Sequence, residues 1–275
     1  MKNLLKSIIL SLFLCFIMSD IIVFDNAFAD SYQSVSSQIV YNQTTDEIVS
    51  EKDSDKRCSI ASLTKIVTAI TAIENCKNID EKITVTKDMV GVEGSSIYLK
   101  VGEQLTLSEL LYGLMMRSGN DAAVAIALSV GGTIEDFARL MNDTAKKAGA
   151  VNSNFVNPHG LEQKDHYSTA KDLALICAYA FNNKTFENIV ATKKKVISDS
   201  LSENDRLLIN KNKMLTLYDG ADGIKTGYTK VSGRCLASSA TRNGVRLICV
   251  VINCADTYGK SAELLDAGFE KYKLT

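Results

Sequence analysis

The chain has 275 residues and a formal charge of −1, so it carries no electrostatic footprint for nucleic acid or for an anionic membrane surface. With 46% hydrophobic residues, no Trp and a single Pro, it has the make-up of a folded domain with a sizeable core, free of repeats and low-complexity runs. Seven cysteines without a C-x-x-C spacing and two histidines without third and fourth ligands indicate no metal site.

The amino terminus reads as an export signal. Lys2 and Lys6 form a basic region, residues 8–18 an apolar core, and Ala27-Phe28-Ala29 a small-x-small cleavage site. Asp20 and Asp25 interrupt the stretch before it reaches the roughly 20 apolar residues that a spanning helix needs. Cleavage after Ala29 would leave residues 30–275 as the exported domain. Cys15 does not read as a lipid-modified cysteine, because bulky Leu14 precedes it. The other cysteines, Cys58, Cys76, Cys177, Cys235, Cys249 and Cys254, are even in number and permit disulfides, yet they lie in apolar stretches where thiols pack as small hydrophobes.

Residues 38–41 and 47–50 flank a polar stretch and predict a hairpin. After Ser62, the residues Ile66, Ala69, Ile70 and Ile73 follow the spacing of an apolar helix face. Thr106-Leu107-Ser108-Glu109 has the capping-box pattern ahead of Leu110, Leu111, Leu114 and Met115. Further helices are predicted over 121–130, 133–148 and 169–181, the first stopping at Gly131-Gly132 and the others opening on Thr with Asp three residues on. Residues 235–241 and 245–253 form a second hairpin around Asn243-Gly244, and residues 261–272 a final helix with Leu264, Leu265 and Phe269 on one side. Strands at both ends of a helical middle predict an α+β fold: an antiparallel sheet with helices packed on it.

Three short motifs follow one another: Ser62-Leu63-Thr64-Lys65, Ser118-Gly119-Asn120 and Lys225-Thr226-Gly227. Together they supply a hydroxyl nucleophile, an amine to activate it, a second hydroxyl and a cationic strand. These are the parts needed for acyl transfer through a serine ester. On a helix beginning at Ser62, Ser62 and Lys65 project from one face, and Ile60, Ala61, Ile66 and Val67 would desolvate the amine and lower its pKa. Each motif also has a bland reading: Ser62 as an N-cap with a solvated Lys65, Gly119 as a helix stop before an Asn120 cap, and Lys225 as an exposed edge-strand lysine. The ordered set is what favours chemistry. Chance matches do occur, since Ser168-Thr169-Ala170-Lys171 and Ser202-Glu203-Asn204 repeat two of the spacings. Thr169 with Asp172 is already explained as a cap, and Glu203 would put an anion beside a cationic site.

The words around the motifs extend the pattern. Ile60-Ala61-Ser62-Leu63-Thr64-Lys65, Asn157-Pro158-His159-Gly160-Leu161 and Asp222-Gly223-Ile224-Lys225-Thr226-Gly227-Tyr228-Thr229 are similar to the nucleophile segment, the N-x-H-G-L loop and the third box of one family. Over residues 34–269 the chain resembles the low-molecular-mass penicillin-binding proteins, specifically serine-type D-alanyl-D-alanine carboxypeptidases. The resemblance implies a β-lactamase/transpeptidase-like fold, with a helical subdomain inserted beside the sheet. It implies that Ser62 attacks the carbonyl of the penultimate D-alanine, that Lys65 takes its proton, that Ser118 relays a proton to the departing amine and that Asn120 holds Lys65 and the peptide. Lys225, Thr226, Gly227 and Tyr228 would bind the substrate, the first two through its terminal carboxylate, with the amides of Ser62 and Tyr228 as oxyanion hole. The implied partners are peptidoglycan stem peptides ending in D-Ala-D-Ala, and β-lactams as inhibitors. No cofactor or metal is implied, and the setting is extracytoplasmic, secreted or wall-associated.

His159 is not needed as a base, because Lys65 already meets that requirement. A class A β-lactamase would deacylate through a glutamate-activated water, and Glu162-Gln163-Lys164-Asp165-His166 lacks the expected E-x-x-L-N pattern. A wall-peptide binder that acylates without turnover would share every motif. Many family members add a β-rich domain and an amphipathic anchor. Here a single domain over residues 30–275 without either is expected, with membrane association only through an uncleaved signal.

Overall fold

The computed structural model describes residues 37–202 and 204–273; the predicted export signal with Cys15 lies outside the described residues, as does Glu203. The chain opens with strands β1 (Ser37–Asn42) and β2 (Glu47–Lys52), then a 3-10 turn Ala61–Leu63 that runs into helix α1 (Thr64–Asn75). Strands β3 (Lys82–Thr84) and β4 (Gln104–Thr106) lead into helices α2 (Leu107–Arg117), α3 (Asn120–Gly131), α4 (Ile134–Lys147), α5 (Ala170–Ala180) and α6 (Lys184–Ala191). Strands β5 (Lys194–Ile197) and β6 (Arg206–Ile209) and a one-turn helix α7 (Met214–Leu217) follow. The chain ends in strands β7 (Ala221–Thr229), β8 (Gly233–Arg242) and β9 (Val245–Ile252) and helix α8 (Thr257–Lys271).

Five strands form one antiparallel sheet in the order β2-β1-β9-β8-β7, which joins the two ends of the domain through the β1–β9 pair. The β8–β9 hairpin turns through Asn243-Gly244 at φ 49° and 81°, the two-residue turn that the sequence predicts. Alternation along the central strands separates two cores. Ile39, Tyr41, Ile248, Val250 and Ile252 face the main core with helices α1 to α6, while Val40, Leu247, Cys249 and Val251 pack on the other face against Leu264, Leu265 and Phe269 of α8. Because β9 is covered on both faces, it reads as the continuous apolar run Leu247–Ile252 rather than an alternating one. The fold is α+β, as expected.

Three expectations need correction. Helix α8 starts at Thr257 rather than 261, because Asp256 caps it by accepting Gly259 N–H at 2.9 Å. Helix α1 starts at Thr64 rather than Ser62, and no side chain caps it; Ser62 lies within the preceding 3-10 turn. The middle is not wholly helical. Residues 194–197 and 206–209 pair as a two-stranded antiparallel sheet, as do β3 and β4, and these runs are too short and too charged to show a clear two-residue period. Helices α4 and α5 lie where predicted, and Thr133 and Thr169 cap them through Asp136 and Asp172 N–H.

Phe269 is fully buried under the guanidinium of Arg242 and fixes α8 to the sheet. Phe269→Ala is expected to cost about 3–5 kcal/mol in denaturant unfolding. A loss below about 1 kcal/mol would show that this face of the sheet is not closed by α8.

Candidate active site

The Ser62 turn is wedged between a strand and a loop by two glycines. Ala61 has φ +46°, a left-handed backbone that costs a residue with a Cβ about 1–2 kcal/mol. Its carbonyl accepts the Thr64 hydroxyl at 2.9 Å. Gly160, at φ +86°, packs against the same carbonyl so closely that any Cβ at residue 160 would overlap its oxygen. On the opposite side lies Gly227 of the edge strand β7, where a Cβ would stand 3.3 Å from Ser62 N and 3.2 Å from Ile60 O. Both glycine words are therefore set by close approach to one turn.

Lys65 is completely buried in the first turn of α1. Its Nζ donates to Asn120 Oδ1 at 2.7 Å and to the carbonyl oxygen of His159 at 2.6 Å, and lies 2.9 Å from Ser62 Oγ. Asn120 is oriented by its own Nδ2, which donates to Glu93 O at 2.5 Å. Two of the three neighbours are thus obligate acceptors, which matches the two N–H bonds of a neutral amine. The third direction, toward the Ser62 hydroxyl, is left for the nitrogen lone pair. Among the described residues no carboxylate hydrogen-bonds or pairs with Lys65. Burial pushes its pKa well below the usual lysine value, and the charges of Lys225 and Lys211 push the same way against weaker support from Asp121.

Ser118 and Asn120 straddle the junction of α2 and α3. Ser118 ends α2 in the left-handed region at φ 63°, Gly119 is the N-cap, and Asn120 is the first residue of α3 rather than its cap. Ser118 is buried, yet its hydroxyl makes no hydrogen bond among the described residues.

Lys225 is 1% exposed, so it is not the solvated edge lysine of the bland reading. Its Nζ donates to Thr226 O at 2.8 Å and has no acidic partner among the described residues. Burial, followed by the charge of Lys211, lowers its pKa to about 7. Thr226, Gly227 and Tyr228 border a cavity of about 350 Å³ together with Arg234 and Tyr258, and the Tyr228 side chain is largely exposed. Ser62, Lys65 and Asn120 are joined by hydrogen bonds and Gly227 abuts Ser62. Lys225 acts on Lys65 through its charge and is not hydrogen-bonded to it.

Several residues outside the three short motifs hold this arrangement. Asp121, buried behind Asn120, accepts Ile97 N–H and Leu99 N–H, each at 3.1 Å, and so fixes the segment that carries Glu93 and Ser95. Asn157 accepts Gly160 N–H at 2.7 Å and shapes the loop that presents the His159 carbonyl. His166 accepts Val156 N–H on Nδ1 at 3.2 Å, so its Nε2–H donates to Thr64 Oγ1 at 2.8 Å, which donates in turn to Ala61 O. The chain of bonds ends on the strained residue before the nucleophile. The mostly polar run Asp165-His166-Tyr167-Ser168-Thr169 gives no hint of it.

His159 meets Lys65 through its carbonyl, not its ring, whose Nδ1 accepts Leu161 N–H at 3.1 Å. The chance match at Ser168 is taken apart by geometry: its hydroxyl bonds Ser153 Oγ at 2.7 Å, while Lys171 reaches out to Asp55 at 3.4 Å. The six cysteines from Cys58 to Cys254 are free thiols in this structure, and among the described residues no group of three or more His, Cys, Asp or Glu is placed to hold a metal. No helix of the described residues is long and apolar enough to cross a membrane.

Comparison with known proteins agrees with this geometry. The family profile described as D-alanyl-D-alanine carboxypeptidase matches residues 26–256. The chain is 32% identical over 244 residues to the D-alanyl-D-alanine carboxypeptidase DacF of Bacillus subtilis (strain 168), covering 86% of this chain and 62% of the relative. It is 34% identical over 226 residues to a D-alanyl-D-alanine carboxypeptidase of Streptomyces sp. (strain K15), covering 77% of this chain and 78% of that one. The crystal structure of the Streptomyces K15 DD-transpeptidase superposes with a TM-score of 0.81 at 31% identity, over 86% of this chain and 98% of that one. The chain belongs to the D-alanyl-D-alanine carboxypeptidase family, and its fold is that of the DD-peptidases. It spans a little over 60% of the length of several curated relatives it matches.

Burial lowers His159 and His166 from 6.5 to about 4, with smaller contributions from the Lys65 charge on both and from His159 on His166. Unfolded, each would take a proton as pH falls through 6.5; folded, each resists until about 4. The stability they provide is therefore complete above pH 6.5 and lost as pH falls toward 4. His166→Gln is expected to remove about half of this histidine-linked slope of unfolding free energy with pH, one of two groups being gone. An unchanged slope would contradict the neutral, hydrogen-bonded His166.

Proposed function

We propose that this chain is a serine-type D-Ala-D-Ala carboxypeptidase that removes the terminal D-alanine from peptidoglycan stem pentapeptides outside the cytoplasmic membrane. The observation that carries the reading is the buried Lys65 amine, bonded to Asn120 and His159 O and directed at Ser62 Oγ with no carboxylate to keep it charged. Lys65 accepts the Ser62 proton as Oγ bonds to the carbonyl carbon of the penultimate D-alanine. Ser118, with its uncommitted hydroxyl, passes that proton to the departing D-alanine amine as the C–N bond breaks. Water then cleaves the ester and restores Ser62. The amides of Ser62 and of Tyr228, on the edge strand, stabilise the oxyanion, a role whose loss typically costs a few kcal/mol. Lys225 and Thr226 take the terminal carboxylate, which relieves the desolvated ammonium of its missing partner. β-Lactams acylate the same serine.

Release by a glutamate-activated water, the β-lactamase route, finds no support. Glu162 is exposed, and no carboxylate contacts Ser62 or Lys65 among the described residues.

The tests are intact mass after benzylpenicillin and assay of free D-alanine from a pentapeptide ending in D-Ala-D-Ala. Wild type should gain one penicilloyl group and release D-alanine. Ser62→Ala should abolish the adduct and lower release by at least about 10³-fold. An adduct that survives in Ser62→Ala removes Ser62 from the mechanism. A stable adduct in wild type without any D-alanine release replaces the enzyme with a binder of wall peptides.

A further inference from the structure

Lys211 stands on the rim of the cleft as a cation without a counter-ion. Its backbone is pinned on both sides: its N–H donates to Met116 O near the end of α2 at 3.0 Å, and its carbonyl accepts the Tyr258 hydroxyl of α8 at 3.3 Å. The exposed side chain is nonetheless directed, because Nζ donates to Ser95 Oγ at 3.1 Å. Ser95 O accepts Asn120 N–H at 2.7 Å, and Asn120 Oδ1 accepts Lys65 Nζ. One residue thus separates the Lys211 ammonium from the residue that holds the Ser62 base.

The charges that act on Lys211 and on Lys225 are both cationic. Arg117 lies close enough to lower the Lys211 pKa after burial, and its guanidinium donates to the Ile209 carbonyl at 3.3 Å, with no carboxylate. The Lys211 charge in turn acts on both Lys225 and Lys65. None of Arg117, Lys211 and Lys225 forms an ion pair among the described residues. Two other cations are matched, Lys100 to Asp199 at 3.0 Å and Arg206 to Glu103 at 3.0 Å. The proposed reaction gives Lys225 one anion, the terminal carboxylate. It leaves Lys211 and Arg117 with none.

We propose that Lys211 is a specificity-determining residue that binds a second carboxylate of the acyl-donor peptide, so that the site prefers peptides carrying a free carboxylate besides the one at the C terminus. The inference rests on the carboxypeptidase reading and deepens it. The rim ammonium, held by Ser95 and flanked by Arg117, offers that group a charge-assisted hydrogen bond at a partly solvated position. Its contribution is therefore modest and salt-dependent.

The test compares two synthetic peptides ending in D-Ala-D-Ala, one with a free side-chain carboxylate in the residue before the first D-alanine and one with the same group amidated. Wild type should favour the acid about fivefold in kcat/KM at low salt, the scale of an exposed ion pair, and the preference should shrink as salt is added. Lys211→Met should abolish the preference, read as the ratio of kcat/KM between the two peptides and so independent of any change common to both, and Lys211→Arg should retain it. Equal loss on both peptides would make Lys211 a general support for the terminal carboxylate and overturn the proposal, as would a preference that survives in Lys211→Met. If wild type acylates with penicillin yet releases no D-alanine, only the carboxypeptidase reading fails. The same comparison then uses acylation rates of a penicillin with an extra side-chain carboxylate against benzylpenicillin, with the same outcomes for and against.

Discussion

The arrangement around Ser62 depends on one cost: an amine taken wholly out of water and given no carboxylate. A buried ammonium of this kind loses its hydration and is recovered only by an opposite charge or by giving up its proton. Lys65 has the second route. Its three neighbours fit a neutral amine, two accepting its N–H bonds and the third a hydroxyl able to donate. Lys225 follows the other route, because its single carbonyl partner leaves most of its hydrogen-bonding capacity and all of its charge unanswered. One lysine is thereby suited to take a proton and the other to take an anion, although both are buried and both are lowered. The difference lies in their first neighbours, not in their depth.

Geometry around the nucleophile is bought with small residues. Gly160 and Gly227 admit the Ser62 turn between the loop and the edge strand, and strained Ala61 is held by Thr64, which His166 holds in turn. Such strain persists only where surrounding contacts over-determine it. Here they come from α1, from the loop at 157–161 and from β7, three segments far apart in the chain that the sheet and main core bring together. The edge position of β7 matters as well, since an outer strand leaves alternate amides without a partner in the sheet.

Much of this was legible in the chain. The Asn243-Gly244 hairpin, the Thr caps of α4 and α5 and the capping box at Thr106 each rest on local chemistry, where a residue type answers a backbone requirement within a few positions. Asn120, 55 residues from Lys65, was legible only through the ordered set of motifs. What escaped was set by distant contacts. Asp121 serves the distant amides of Ile97 and Leu99, His166 reaches the nucleophile turn only through Thr64, and Lys211 becomes part of the cleft only because α2 and α8 clamp its backbone. The start of α8 was missed because Gly259 hides a cap at Asp256, and β5 and β6 because four-residue strands with charged faces carry too little pattern.

The protonation state of Lys65 is the most direct point of attack. With lysine labelled at ¹³Cε and ¹⁵Nζ, the Lys65 resonance, assigned by comparison with Lys65→Met, can be followed through a pH titration of the free protein. The account predicts a neutral amine at mildly alkaline pH, titrating well below the surface lysines near about 10.4. A Lys65 signal that stays charged until the surface lysines lose their protons would contradict it.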